Sequence, residues 1–301
     1  MFLTIFGTVL MPLLLVVGAA YALGRASRLD PGTLARVTFY IFNPCLVFVN
    51  LATTTIAPEL LGRLALLKLL FYVVMAPAVY LLAGRLKLTG QLRSALLLAV
   101  IFANSGNYGL AVNEFAFGKE AVALALICFI VDNLMVNSLG VYVAARGRAN
   151  GRYALGQVFG NPAVYAIALG LIANRLGWAL PLPLSRALDL GSRATTPAML
   201  VVLGMQLAVL PLDRRHWGLA GLATALRLLV SPLIAALLVA PLGLTGLARQ
   251  VGIVQSAVPS AVSASIVASR YETEPNLVAG AIFISSLASL ATVTAVIAWV
   301  S

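Results

Sequence analysis

Apolar stretches as long as a bilayer is thick follow one another through this chain with little between them. A helix needs about 20 apolar residues to cross the hydrocarbon core, and such stretches occupy 2–23, 32–52, 60–84, 91–115, 120–144, 155–174, 184–210, 216–240, 246–270 and 275–300. Lipid offers no partner to a bare peptide group, so each stretch must satisfy its backbone internally and is predicted to be helical. The fold class that follows is an all-α polytopic membrane protein of ten transmembrane helices, here called spans 1 to 10. Composition agrees, with 61% of the 301 residues hydrophobic and 10% charged, where soluble proteins carry about 25% charged residues. Little chain remains for a soluble domain, a long linker or a low-complexity tail. Span 1 has no basic residue ahead of it and no cleavage site behind it, where Arg25 and Arg28 follow Gly24, so it reads as a retained helix rather than a signal peptide.

Spans 4 and 9 differ from the others. RSALLLAVIFANSGNYGLAVNEFAFG from Arg93 and RQVGIVQSAVPSAVSASIVASRYETE from Arg249 align without a gap. Both are broken in the middle by helix-weakening residues: Asn104, Ser105, Gly106, Asn107 and Gly109 in one, Pro259, Ser260, Ser263 and Ser265 in the other. A helix interrupted at membrane depth persists only where protein or trapped water satisfies the freed backbone, and matched interruptions in two halves point to a binding site near the midplane. The likeness extends further. Pairing Pro44 with Pro197, Lys68 with Arg227 and Arg93 with Arg249 gives offsets of 153, 159 and 156 residues, a repeat of five spans. An odd number of spans per repeat inverts the second copy. The expected organisation is therefore two inverted five-helix repeats, 1–150 and 151–301, with broken helices 4 and 9 crossed and their half-helix N-termini favouring an anionic ligand.

The net charge of +11 raises nucleic acid as a partner, but the placement of the charge points to a bilayer. With the N-terminus outside, the cytoplasmic loops carry Arg25, Arg28, Arg36, Arg85, Lys87, Arg93, Arg146, Arg148, Arg152, Arg214, Arg215 and Arg270. The opposite loops carry half as many: Arg63, Lys119, Arg175, Arg186, Arg193 and Arg249. That asymmetry satisfies the positive-inside rule for a plasma-membrane (inner-membrane) protein with both termini outside, and the basicity is a topology signal. Cys45 and Cys128 both lie within spans and read as small buried hydrophobes, not as a disulfide or metal pair.

At these residues the chain resembles the auxin efflux carrier family, which includes the plant PIN proteins and bacterial relatives and shares the inverted-repeat architecture of bile-acid/sodium symporters. The resemblance rests on FNPCLVF in span 2, NSGNYGLAVNEFAFG in span 4, DNLMVNSLGVY in span 5, GNPAVYAIALGLI in span 6, RATTPAMLVVLGMQL in span 7, RLLVSPLIA in span 8 and AVPSAVSASIVASRYE in span 9. It implies a scaffold of helices 1, 2, 6 and 7, a transport domain of the remaining six, carriage of small organic anions such as indole-3-acetate, and a homodimer formed through the scaffold. Asn104 and Pro259 match the family's crossover asparagine and proline. Ala111 stands where relatives commonly have proline, so the break in span 4 is expected to be made mainly by Gly106 and Gly109. The long hydrophilic loop of the plant carriers, with its kinase regulation, has no counterpart between spans 5 and 6.

Asn104 donates and accepts hydrogen bonds, which suits a carboxylate, and equally suits capping of a half-helix. Ser105, Asn107, Ser260 and Ser263 are candidates for the same polar pocket, and Tyr108 either stacks on an aromatic substrate or packs. Asp132 is the acidic residue deep within a span. It must face a cavity or a partner, where with Asn133 and Asn137 it would exchange a proton or hold a cation, or else serve structurally. Lys68 and Arg227 are read by default as snorkelling to the headgroups, and Lys68 alternatively as drawing an anionic substrate inward. Gln206 and Gln255 are polar within spans and are unranked. No cofactor is implied beyond a coupling ion, H+ or Na+.

The leading expectation is an efflux carrier of small carboxylates working by alternating access. A sodium-coupled bile-acid-type symporter, a cation/proton antiporter and a passive channel are the competing readings. An intramembrane enzyme is disfavoured: the single histidine, His216, sits beside Arg214 and Arg215, no HExxH occurs, and Asp132 has no second deep carboxylate.

Overall fold

A computed structural model describes residues 1–27, 29–145, 160–178, 180–211 and 213–301. Arg28, Arg146, Arg148, Arg152 and the beginning of span 6 lie outside the described residues. The described chain is helical throughout and holds no strand; its one sheet-like contact is an isolated antiparallel bridge between Ala103 and Ser260.

The helices begin where the sequence supplies caps or proline. α1 runs over Phe2–Ser27 and α2 over Pro31–Ala52. Asp30 starts α2 by accepting from the N–H groups of Gly32 at 2.9 Å and Thr33 at 3.1 Å, with Pro31 in the first turn, where a missing N–H costs nothing. α3 is Pro58–Arg85, and α4 is Gly90–Ile101, capped by Thr89. α5 covers 105–117 and turns at Gly118, whose φ of +82° favours glycine, into α6, Lys119–Ala144. α7, Pro162–Leu176, is capped by Asn161 and ends on Gly177 in the left-handed conformation. α8 is Leu182–Val209, α9 Trp217–Val239, α10 Gly246–Ala257, α11 Val262–Arg270 and α12 Pro275–Val300.

Six of these, α1, α2, α3, α6, α9 and α12, are long and apolar enough to cross a membrane. Span 7 is present as the 28-residue α8, whose first half is diluted by Arg186, Asp189 and Arg193. Spans 4 and 9 each appear as two short helices, α4 with α5 and α10 with α11. The break in span 4 falls earlier than expected. It lies at Phe102–Asn104, whereas Gly106 and Gly109 sit inside the helical turns that follow. Those glycines serve packing: a Cβ on Gly106 would strike the Phe129 ring, and one on Gly109 the Gln255 amide.

The helices sort into two packed groups. α8 lies along α1 and α2, and α7 packs on α2. Close approach is set by small residues: a Cβ at Gly204 of α8 would lie 2.7 Å from Cβ of Ala20 and 2.9 Å from the Tyr21 nitrogen of α1. The second group is α3, α4, α6, α9, α10 and α12, with α5 on α6 and α11 against α12.

Candidate functional site

Two interrupted helices meet at the centre of the molecule. Pro259 accounts for one interruption, because it lacks an N–H and pushes Val258 into extended backbone, at φ −68° and ψ 156°. The other has no proline and is held by pairing with the first. The Asn104 N–H donates to the Pro259 carbonyl at 2.8 Å, and the Ala261 N–H to the Phe102 carbonyl at 2.9 Å. Ser260 tightens the crossing through its hydroxyl, which donates to Ala99 O at 2.7 Å.

The breaks leave the last carbonyls of α4 and α10 without helical partners. Arg227 of α9 supplies them. Its guanidinium donates to Ser256 O at 2.6 Å, Val258 O at 3.0 Å, Val100 O at 3.2 Å and Ile101 O at 3.5 Å. One cation thereby caps both half-helices where their dipoles are negative. Lys68 of α3 is as deeply placed: its ammonium lies 3.0 Å from Asp132 Oδ2, and the Tyr72 hydroxyl donates to Asp132 Oδ1 at 2.8 Å. The two cations lie 5.2 and 5.6 Å from the Phe71 ring centre. This corrects the snorkelling expectation for both. Lys68 and Arg227 are 0% exposed, because an ion pair and a set of carbonyls inside the protein offset the loss of water.

Beside the crossing lies a cavity of about 290 Å³, near the lower end of the 300–1,000 Å³ usual for ligand sites. Arg36, Thr38, Phe39 and Tyr40 of α2 and Met199, Val202 and Gln206 of α8 form one wall. The facing wall is the 102–107 break, Phe129, Asp132, Asn133 and Val136 of α6, and Val262, Ser263 and Ile266 of α11. The cavity thus separates the two packed groups. Three residues lining it carry a buried side-chain atom without a hydrogen-bond partner among the described residues: Thr38 Oγ1, Asn104 Nδ2 and Asp132 Oδ2, the last of which is ion-paired with Lys68. Widened π-helical turns at Thr38–Phe42, Ser105–Leu110 and Val136–Gly140 all contribute to it, as such turns often do at functional sites.

Of the residues singled out in the sequence, Asn104, Ser105, Asn107, Ser263, Asp132 and Asn133 line this cavity. Pro259 and Ser260 form the crossing behind it. Tyr108 is turned away, with its hydroxyl 3.1 Å from Ser289 Oγ of α12. Lys68 stands behind Asp132, and Asn137 bonds back to the Asn133 carbonyl at 2.8 Å. Gln206 lines the cavity, whereas Gln255 is buried between the Ser105 and Ala125 carbonyls. The sequence reading missed the α2 wall. Thr38, Phe39 and Tyr40 lie in an ordinary apolar span, and no local pattern marks them.

Residues 151–297 match a family described as "Membrane transport protein". An uncharacterized transporter of Methanothermobacter thermautotrophicus is 30% identical over 273 residues, 89% of this chain and 88% of that protein. The chain belongs to this transporter family. A second uncharacterized transporter, from Methanocaldococcus jannaschii, is 28% identical over 265 residues, 85% of each chain. A probable auxin efflux carrier component of rice is 30% identical over 135 residues, 43% of this chain and 24% of the rice protein. Membership in the auxin efflux-like transporter family fits what is built here: apolar helices long enough to span a bilayer, around a cavity with polar residues at its inner end.

Proposed function

We propose that this protein is a secondary carrier of small organic anions, exporting carboxylates of the indole-3-acetate type by alternating access. The observation that supports this reading is the cavity itself, lying between two packed helix groups and lined by Asn104, whose buried Nδ2 has no partner among the described residues. The α1, α2, α7, α8 group is the scaffold and the other group moves. Repeats 1–150 and 151–301 are related by inversion, a reading supported by α4 and α10, both 12 residues long and offset by 156. On the positive-inside assignment the cavity opens to the cytoplasm, since the start of α2 and the ends of α6, α8 and α11 lie on the Arg-rich side. The protein sits in the plasma membrane with both termini outside, as a homodimer.

Asn104 is the principal substrate contact, with Ser105, Asn107 and Ser263 around it, while Pro259 and Ser260 hold the crossing. The test is uptake and counterflow of radiolabelled indole-3-acetate in proteoliposomes. Saturable flux with counterflow, reduced at least about tenfold in Asn104→Ala as for loss of a bond to a charged group, is the expected result; linear flux would mean a channel. A second reading, proton or sodium exchange, is favoured by Asp132 on the cavity wall with Asn133 beside it. It requires sodium or proton flux without organic substrate, abolished by Asp132→Asn.

A further inference from the structure

The Thr38 backbone bonds within its helix, but its side chain makes no hydrogen bond there. Thr38 is 4% exposed, its buried hydroxyl has no partner among the described residues, and from the other helix group it lines the same cavity as Asn104, whose Nδ2 is likewise buried and unpartnered. A buried hydroxyl without a partner is destabilising, and native proteins keep few of them. The charged residues lining the cavity are Arg36 and Asp132. Asp132 is balanced by Lys68 at 3.0 Å, and Arg227 is committed to backbone carbonyls. Among the described residues lining the cavity, the exposed Arg36 is therefore the one charge without an ion-pair partner. Its remaining surface is largely apolar, with Phe39, Tyr40, Phe102 and Phe129.

We infer that Thr38 is a substrate-binding residue: its hydroxyl donates to the carboxylate of a singly charged, compact apolar acid that Asn104 holds from the other side, while Arg36 supplies the attraction at the rim. This deepens the carrier reading and rests on it. The carboxylate bridges the two helix groups, so bound substrate completes hydrogen bonds that the empty protein leaves open. Two unpartnered donors from different helix groups and, among the described residues, a single net charge fit one carboxylate and disfavour a second.

The test measures binding of indole-3-acetate, its neutral analogue indole-3-acetamide, and malonate to purified wild type, Thr38→Val and Thr38→Ser. Wild type is expected to prefer the monocarboxylate over both others. Thr38→Val should weaken acid binding by about 10- to 100-fold, as for loss of a hydrogen bond to a charged group, with little change for the amide, and Thr38→Ser should restore it. The ligand-free Thr38→Val protein should melt at or above the wild-type temperature, because it loses an unsatisfied buried hydroxyl. Arg36→Gln should weaken acid binding at low salt but not near 1 M, where the Debye length is about 3 Å, and Arg25→Gln, an exposed residue outside the cavity, should do nothing. Equal loss of acid and amide with a lowered melting temperature would make Thr38 a packing residue and overturn the inference. So would unchanged acid binding in Thr38→Val, or tighter binding of malonate than of the monocarboxylate. Wild type that binds none of the three would instead overturn the carrier reading itself.

Discussion

Lys68 and Asp132 show how a charge becomes tolerable at membrane depth. Each alone would be strongly disfavoured there, and together they form a pair at 3.0 Å, 0% and 4% exposed, with Tyr72 completing the carboxylate's bonds. A pair of this kind contributes little net stability, but removing one partner strands the other. Lys68→Met and Asp132→Leu should therefore each destabilise the protein by about 3–5 kcal/mol, whereas the double variant should recover most of that loss. Thermal melting in detergent of the two single variants and the double reads this directly; single effects that simply add would mean that the two charges are not coupled. Arg227 follows the same logic with neutral partners, since four backbone carbonyls take the place of a counter-ion.

At the scale of helices, small residues set how closely elements approach. A side chain at Gly204 would collide with Ala20 and the Tyr21 backbone across the α1–α8 contact, whereas one at Gly18 meets nothing within 4 Å. Gly204→Val should cost about 1–3 kcal/mol by overpacking, and Gly18→Ala should be neutral or slightly stabilising; comparing their melting temperatures checks the close packing of α1 on α8. This contrast marks what the sequence could disclose. Span lengths are legible because bilayer thickness imposes them, and the break at Pro259 is legible because proline removes a donor. The break at Phe102–Asn104 is legible only in part: Asn104 marks it, but its exact place comes from pairing with a distant segment, and the glycines beside it answer to Phe129 and Gln255. Likewise, nothing local announces that Lys68 finds Asp132 on another helix, or that Thr38 lies opposite Asn104. An Arg near the end of a span reads as a topology signal, and a lone Thr in a helix reads as nothing in particular.

At the scale of the whole molecule, the two helix groups touch through few polar side-chain bonds among the described residues. The Asn107 amide donates to Gln206 Oε1 at 3.4 Å, the Thr196 hydroxyl to Glu114 Oε2 at 3.0 Å, and the Asn161 amide to Asn133 Oδ1 at 3.0 Å. Each contributes about 0.5–1.5 kcal/mol net if neutral and up to about 3 if charged. Their sum is within reach of what a bound ligand's differential affinity can shift. The packing inside each group is far more extensive, so on the carrier reading proposed above one group moves rigidly against the other, and that movement would have to break the Glu114–Thr196 contact. Glu114→Cys with Thr196→Cys, in a background where Cys45 and Cys128 are replaced by alanine, gives two thiols that a short bifunctional methanethiosulfonate can bridge. Bridging should abolish flux in proteoliposomes while leaving equilibrium binding of indole-3-acetate intact, and reduction should restore flux. Undiminished flux in fully cross-linked protein would mean that substrate crosses without relative movement of the two groups, and the cavity would then belong to a channel.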